Sequence, residues 1–186
     1  SPRAEADILL AHTLGISRDK LYLSRNLKVS GQDQERFVKL LQRRGKREPL
    51  AYVVNKREFM GLEFYVDERV LIPRPETEIL AEKVLTLRET KSQTGYNKEY
   101  KNPRVLDLCT GSGALAISIA YYWPEAKVTA VDISDAALEV AKYNAAKMQT
   151  PIDLRRGDLF EPLNEDKFDI IVSNPPYVSQ SEYKDC

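Results

Sequence analysis

The segment at residues 107–113 constrains the fold of this chain more than any other feature. It reads Asp107-Leu108-Cys109-Thr110-Gly111-Ser112-Gly113 and joins a short apolar strand at 105–106 to an apolar helix at 113–122. Glycine adopts backbone angles that other residues avoid, so Gly111 and Gly113 permit a tight turn and the close approach of a ligand. A strand, a glycine loop and a helix in this order indicate the first unit of an α/β domain.

The same alternation continues along the rest of the chain. Strands are predicted at 127–131, 152–154 and 168–172, and a helix is predicted at 135–148. Strands that are separated by helices pair in parallel with right-handed crossovers. We therefore predict an α/β fold with a Rossmann-like parallel sheet, and we expect this sheet to be truncated after its fourth strand.

The chain is predicted to contain three parts. Residues 1–55 form a helical domain, 56–72 a β-hairpin linker and 73–186 the α/β domain. The helical prediction rests on serines that stand where helix caps are expected, namely Ser1, Ser17 and Ser30. The hairpin prediction rests on two short apolar segments around Gly61, and a further strand is predicted at 70–72.

The composition excludes several classes of protein. The 186 residues include 28 basic and 28 acidic side chains, so the formal net charge is +0, which argues against a large nucleic-acid footprint. No apolar run approaches the roughly 18 residues of a membrane span. Two cysteines predict neither a disulfide framework nor a metal site. Because no export signal is evident, we expect a cytoplasmic protein.

The neutral total hides a basic first part. Residues 1–72 carry 14 basic and 10 acidic side chains, a net charge of +4. Six of the cations lie on or just after the third predicted helix, namely Arg36, Lys39, Arg43, Arg44, Lys46 and Arg47. One interpretation of this basic face is a solvated helix surface, and the other is a docking surface for an acidic protein or RNA.

Acidic residues accompany the first strands of the α/β part. Asp107 lies at the tip of the first strand, and Asp132 follows the second. The spacing of the glycines and Asp132 fits a dinucleotide site, in which the carboxylate accepts both hydroxyls of a ribose. The alternative ligand is S-adenosylmethionine (SAM), because a carboxylate at Asp107 suits its cationic methionine end better than a pyrophosphate. Asp158 is either a partner of the adenine amine or an ordinary loop residue.

The motif Asn174-Pro175-Pro176-Tyr177 directly follows the last predicted strand. Its two prolines remove two N–H donors, so the segment offers mainly acceptors. The side-chain oxygen of Asn174 and the carbonyl of Pro175 can each accept one N–H of a planar NH2 group, while Tyr177 packs against it. Such contacts would aim the nitrogen at a methyl donor and stabilise developing positive charge. This motif favours SAM over a dinucleotide, although a simple turn uses the same residue types.

These motifs together resemble those of the release-factor glutamine methyltransferases, the HemK family. The resemblance spans nearly all 186 residues. Beyond the glycine loop and Asn-Pro-Pro-Tyr, it rests on the blocks Arg47-Glu48-Pro49-Leu50-Ala51-Tyr52, Glu58-Phe59-Met60-Gly61-Leu62, Leu71-Ile72-Pro73-Arg74-Pro75-Glu76-Thr77-Glu78 and Asp132-Ile133-Ser134. The Ile-Pro-Arg-Pro-Glu-Thr-Glu block is more selective for this family than Asn-Pro-Pro-Tyr, which DNA and RNA amino-methyltransferases share.

The resemblance implies SAM as the cofactor and a peptide-chain release factor as the partner, methylated on the glutamine amide of its Gly-Gly-Gln motif. It implies that the helical domain recognises this substrate, where a basic face would steer an acidic protein. Expected cofactor contacts are Asp107, Cys109, Thr110, Gly111, Gly113, Asp132, Ile133, Asp158, Leu159 and Asn174. Expected substrate contacts are Arg74, Pro75, Asn174, Pro175, Pro176 and Tyr177, with Asn174, Pro175 and Tyr177 as the catalytic residues.

Two alternatives stay open at the level of sequence. An amino-methyltransferase acting on adenine in DNA or RNA would use the same chemistry, because that amine is also planar. A non-catalytic fragment that binds SAM is the other alternative, because the family sheet contains three more strands after the fourth. Cys109 stands where many such loops have glycine, and we interpret it as a small buried residue beside the cofactor.

Overall fold

The structure is a computed structural model that describes residues 1–24, 26–89 and 100–176. The chain divides into two compact units, Ser1–Lys56 and Arg57–Cys186. No helix in the described part of the chain is both long and apolar enough to cross a lipid bilayer.

Helices make up the described part of the first unit. They are α1 (Pro2–Leu14), α2 (Arg18–Leu23), α3 (Gly31–Gly45) and α4 (Leu50–Val54). Ser1, Ser17 and Ser30 each accept a backbone N–H with the side-chain oxygen at the start of a helix, so the predicted caps are confirmed. The core of this unit contains Leu9 and Val53, which are at most 1% exposed.

Part of the basic face of α3 is used inside the first unit. Arg44 Nε donates to Glu5 Oε2 on α1 over 2.7 Å, and Arg43 forms a two-pronged ion pair with Glu48. Both arginines also donate to backbone carbonyls around α4, including that of Tyr52. These two cations therefore hold the helices of the unit together, in addition to any role on its surface.

The second unit begins with a β-hairpin of β1 (Arg57–Phe59) and β2 (Leu62–Phe64). Met60 and Gly61 form its turn, and both have positive φ values, as a two-residue hairpin turn requires. Phe59 and Phe64 point into the core, where their rings meet edge to face at 6.1 Å. The hairpin is therefore an integral part of the core of this unit.

The prediction of a strand at 70–72 is wrong. This segment forms no strand, and a turn precedes it, in which the Val70 N–H donates to Asp67 O. Val70 is nevertheless only 5% exposed, and the segment lines a cleft instead of extending a sheet. Helix α5 (Pro75–Glu89) follows, with Pro75 in its first turn as predicted.

A parallel sheet forms the centre of the second unit and confirms the predicted fold class. Its described strands are β3 (Arg104–Leu108), β4 (Lys127–Asp132), β5 (Asp153–Arg156) and β6 (Ile170–Ser173), in the order β5-β4-β3-β6. Helices α6 (Ala114–Tyr122) and α7 (Asp135–Lys147) follow β3 and β4. Because Leu108 lies beside both Val131 and Ser173, the segments after β3, β4 and β6 leave the sheet at the same edge.

A buried asparagine fixes the glycine loop to the rest of this unit. Asn144 on α7 is fully buried. Its Nδ2 donates to Ser112 O over 2.9 Å and to Tyr65 O over 3.0 Å, and its Oδ1 accepts the Tyr65 N–H over 2.8 Å. One side chain thus connects the segment after the hairpin with the loop that follows β3.

Candidate functional site

Two adjoining cavities lie at the carboxyl edge of the sheet, where ligands bind in open α/β folds. The larger cleft has a volume of about 260 Å³ and the smaller cavity about 50 Å³. Of the residues predicted from sequence, the larger cleft is lined by Cys109, Gly111, Asp132, Ile133, Asp158, Leu159, Asn174 and Pro176. The smaller cavity is lined by Asp107, Thr110 and, shared with the larger cleft, Cys109, Gly111 and Asn174.

The glycine loop shapes the floor of both cavities. Gly113 has a φ of 77° and precedes α6, and a Cβ there would lie 2.8 Å from the Ile117 side chain. Cys109 has a φ of 60°, so a non-glycine residue holds a left-handed conformation at the cavity wall. Burial raises the pKa of the Cys109 thiol, and Asp132 adds to this effect. A neutral thiol is a poor nucleophile, which agrees with its interpretation as a packing residue.

Asp107 is a buried carboxyl group at the smaller cavity and is only 1% exposed. Burial raises its pKa to about 7, although hydrogen bonds from the Thr110 hydroxyl and the Ala116 N–H act in the opposite direction. The Thr110 bond measures 2.7 Å. Among the described residues, no cation acts on this carboxyl group. The site therefore presents a desolvated acid that a ligand cation would stabilise in its charged form.

Asp132 ends β4 and lines the larger cleft. Its Oδ2 accepts the Gly111 N–H over 2.8 Å, and its Oδ1 accepts the Ser134 N–H over 3.0 Å. These two bonds fix the plane of the carboxylate between the glycine loop and the start of α7. Each oxygen keeps a lone pair, so both hydroxyls of a ribose have an acceptor available.

Apolar side chains stand beside Asp132 at the mouth of the larger cleft. Ile133 is 65% exposed and Leu159 is 48% exposed, although both are large hydrophobic residues. Asp158 precedes Leu159 in the same wall of the cleft. An open apolar surface with one carboxylate at its rim suits a flat heteroaromatic ring that carries an amino group.

Asn174 follows β6 and lines both cavities. Its Nδ2 donates to the hydroxyl oxygen of Thr77, on the first turn of α5, over 2.8 Å. The amide nitrogen is therefore engaged by the protein, and the amide oxygen stays available as an acceptor. Tyr177, the last residue of the predicted motif, lies outside the described residues.

Four predicted residues are described but line neither cavity. Gly113 is buried beneath the loop, whereas Arg74, Pro75 and Pro175 are exposed. Their immediate neighbours Pro73, Thr77 and Pro176 do line a cavity. The predicted segments thus reach the site, but with a different set of side chains.

Sequence reasoning missed the segment that covers the larger cleft, which consists of Arg69, Val70 and Leu71. Arg69 donates to Asp67 Oδ2 over 2.7 Å and to Glu139 Oε2 over 2.9 Å. The pair with Glu139 connects this segment to α7. The apolar run at 70–72 was a signal of burial, but such a run does not specify which surface buries it.

The comparisons with known proteins agree with this architecture. Residues 90–185 match the family described as Methyltransferase small domain, and residues 1–54 match the PrmC N-terminal domain. The release factor glutamine methyltransferase of Rhodopirellula baltica is 45% identical over an alignment of 186 positions that covers 98% of this chain and 61% of the relative. The ribosomal protein uL3 glutamine methyltransferase of Bradyrhizobium diazoefficiens is 42% identical, over 95% of this chain and 56% of the relative.

These relatives confirm the resemblance that the motifs indicated. The chain spans about three fifths of the length of the curated relatives it matches. Among solved structures, a SAM-dependent methyltransferase from Agrobacterium tumefaciens aligns with a TM-score of 0.50 and 24% identity, over 65% of this chain and 39% of that chain. This likeness supports the fold. Since the matched segment 90–185 makes up just over half of its residues, the chain belongs to the small-domain methyltransferase family.

Proposed function

We propose that this chain carries the SAM site and the substrate-amide site of a methyltransferase that modifies the side-chain amide of a protein glutamine. The observation that carries the proposal is the position of Asn174, which lines both cavities with its amide nitrogen already bonded to Thr77. A neutral acceptor at the junction of two cavities suits a planar NH2 group that must meet a second ligand.

The residues of the two adjoining cavities fit SAM as the second ligand. SAM carries a ribose, an adenine and a cationic methionine end, and each has a chemically matched partner among the described residues. Asp132 is the acceptor for the ribose, and Ile133 and Leu159 form the apolar surface for the adenine, with Asp158 near its amine. Asp107, at the smaller cavity, would hold the cationic end, because its carboxyl group is desolvated and no cation acts on it among the described residues.

The chemistry that SAM supplies when bound is an electrophilic methyl group on a sulfonium. The protein's own part is to orient a weak nucleophile, because the lone pair of an amide nitrogen is delocalised. The Asn174 side-chain oxygen accepts one N–H of the substrate amide. The Pro175 carbonyl is proposed as the acceptor of the second N–H, although Pro175 itself lines neither cavity. Two such bonds fix the plane of the substrate amide. The same two oxygens stabilise positive charge as it develops on the nitrogen. The nitrogen becomes acidic in the process and releases its extra proton afterwards, so no strong base is needed at this site.

The glutamine of the Gly-Gly-Gln motif in peptide-chain release factors is the proposed substrate. Some relatives are named release factor glutamine methyltransferase, and another is named ribosomal protein uL3 glutamine methyltransferase. Both names specify glutamine as the residue that is methylated. The helical segment 1–54 is the proposed recognition part, because its match is separate from that of the methyltransferase part. We propose a cytoplasmic location, because the proposed substrate acts in translation.

The test is transfer of a labelled methyl group from SAM to purified release factor. We expect label on the Gly-Gly-Gln glutamine, and no label on a release factor in which that glutamine is replaced by glutamate. Asn174→Ala should abolish transfer, whereas Asn102→Ala, which changes an exposed asparagine, should not. Label on ribosomal protein uL3 alone would change the substrate, and label on an adenine-containing oligonucleotide instead of a protein would refute the proposal.

A further inference from the structure

A single hydrogen bond connects the start of α5 with the residue after β6. The Nδ2 of Asn174 donates to the Oγ1 of Thr77 over 2.8 Å, across 97 residues of sequence. Both side chains line the smaller cavity, together with the buried Asp107. Thr77 lies in the first turn of α5 and is half-buried.

The segment around Thr77 is held in place from two sides, once through its main chain and once through a side chain. On the N-terminal side, Arg57 Nε donates to the carbonyl of Pro73 over 3.1 Å. On the C-terminal side, the Met60 N–H donates to Glu78 Oε1 over 2.9 Å. Both partners belong to the β-hairpin, which is anchored in the core by Phe59 and Phe64. The hydroxyl of Thr77 is therefore a fixed point against which another side chain can be oriented.

The orientation of Asn174 decides what the cavity offers to a ligand. The two ends of an asparagine amide have nearly the same size, but one donates two hydrogen bonds and the other accepts. With the nitrogen bonded to Thr77, the oxygen is the end left for a ligand. If the amide were rotated, its N–H groups would face the N–H groups of a substrate amide, and the two sets of donors would repel each other. The adjacent Pro175 has no N–H and provides only a carbonyl.

We propose that Thr77 is a positioning residue that holds the side-chain amide of Asn174 in place at the smaller cavity, where the amide oxygen is left for the substrate. Thr77 does not touch the reacting atoms and acts through Asn174. The inference rests on the proposed function for its kinetic consequence, but the orientation itself is a property of this chain alone. Through this bond, the hairpin and the start of α5 hold the side chain of Asn174 at the cavity that it lines.

The kinetic test compares Thr77→Val, which keeps the shape but removes the hydroxyl, with Thr77→Ser, which keeps the hydroxyl. Loss of one such hydrogen bond changes an equilibrium or rate constant by about tenfold. We therefore expect kcat for glutamine methylation to fall by about tenfold in Thr77→Val. KM should change by less than about threefold, because the acceptor bond strengthens as charge develops in the transition state. Thr77→Ser should restore the rate to within about twofold.

The matched control is Thr86→Val on the same helix. The Thr86 hydroxyl donates to the carbonyl of Lys83 on the exposed side of α5, so its removal should leave the rate unchanged. Affinity for S-adenosylhomocysteine, measured by calorimetry, should be the same in all four proteins. Equal rates in Thr77→Val and the unmutated protein would overturn the inference. A parallel loss of rate in Thr77→Ser, or a loss of affinity for S-adenosylhomocysteine in Thr77→Val, would overturn it as well.

A second measurement does not depend on activity. The side-chain NH2 protons of Asn174, observed by NMR, should exchange with water more slowly in the unmutated protein and in Thr77→Ser than in Thr77→Val. Equal exchange in all three would show that Thr77 does not hold the amide and would overturn the inference. If the unmutated protein transfers no methyl group to glutamine, the proposed function fails, and the exchange rates alone then decide the role of Thr77.

Discussion

Replacement of Asp107 by asparagine is expected to stabilise the free protein at pH 8 and to weaken its binding of SAM. The carboxyl group is 1% exposed, and among the described residues the groups that act on it include no cation. An ionised carboxylate in this position therefore lacks solvation. Asparagine is nearly the same size, and its oxygen can still accept the hydrogen bond that Thr110 donates to Asp107.

The magnitude follows from the pKa of Asp107, which burial raises from an ordinary value of 3.8 to about 7. Between these two values the folded protein holds a proton that the unfolded chain releases. The free energy of unfolding therefore falls as the pH rises through this window, and the loss is complete above pH 7. Three pH units at about 1.4 kcal/mol each correspond to about 4 kcal/mol at pH 8. Asp107→Asn removes this loss, so its advantage over the unmutated protein should grow from near zero at pH 4 to this value.

The assay is urea unfolding at a series of pH values. Trp123 is the single tryptophan of the chain and is 1% exposed in the core of the second unit, so its fluorescence reports on that unit. Glu165→Gln, which changes an exposed carboxylate of the same unit, is the control. A stability difference between Asp107→Asn and the unmutated protein that does not vary with pH would refute the reasoning. Calorimetry at pH 8 should show at least tenfold weaker binding of SAM to Asp107→Asn, because the ligand cation loses its partner.

Three further substitutions test the packing around the site, each by urea unfolding with Trp123 fluorescence. Asn144→Leu removes three buried hydrogen bonds and should lower the free energy of unfolding by about 3 kcal/mol or more; a loss below about 1 kcal/mol would contradict this role. Ser118→Ala should raise it by up to about 1 kcal/mol, because the buried Ser118 hydroxyl has no hydrogen-bond partner among the described residues, and a decrease would contradict this expectation. Gly113→Ala should lower the free energy of unfolding by about 2 kcal/mol or more, because Gly113 has a positive φ and an added Cβ would clash with Ile117. The loss should exceed that in Gly111→Ala, whose added Cβ meets open space.

The helices and strands of this chain could be predicted where the signal is local. Ser1 and Ser30 cap helices, because a cap needs only a side-chain oxygen two or three residues before an unpaired backbone N–H. Sequence spacing alone determines whether this condition is met. The position of Asp132 at the end of β4 follows in the same way from an apolar run and the acid after it. The strand predicted at 70–72 failed, because an apolar run indicates burial but not hydrogen-bond pairing with another strand.

Sequence patterns did not predict the contacts that join distant segments at the site. Thr77 stands inside a block that the resemblance singled out, yet nothing in that block indicates that its hydroxyl meets Asn174. The same holds for Arg69, which is held over the larger cleft by Asp67 and Glu139. Such side-chain bonds depend on how helices and loops pack, and periodicity contains no information about them.

The two acceptors of the smaller cavity differ in charge, and this difference has a physical reason. Asp107 and Asn174 line the same cavity of about 50 Å³. If residue 174 were a carboxylate, two acids would line the same cavity, and each would raise the pKa of the other. One of them would then hold a proton at neutral pH and would donate instead of accept. A neutral amide at Asn174, held by Thr77, does not titrate, and Asp107 is then the one carboxyl group among the described residues that line this cavity. The site can therefore bind a cation at Asp107 and a neutral NH2 group at Asn174, because each ligand group suits only one of the two side chains.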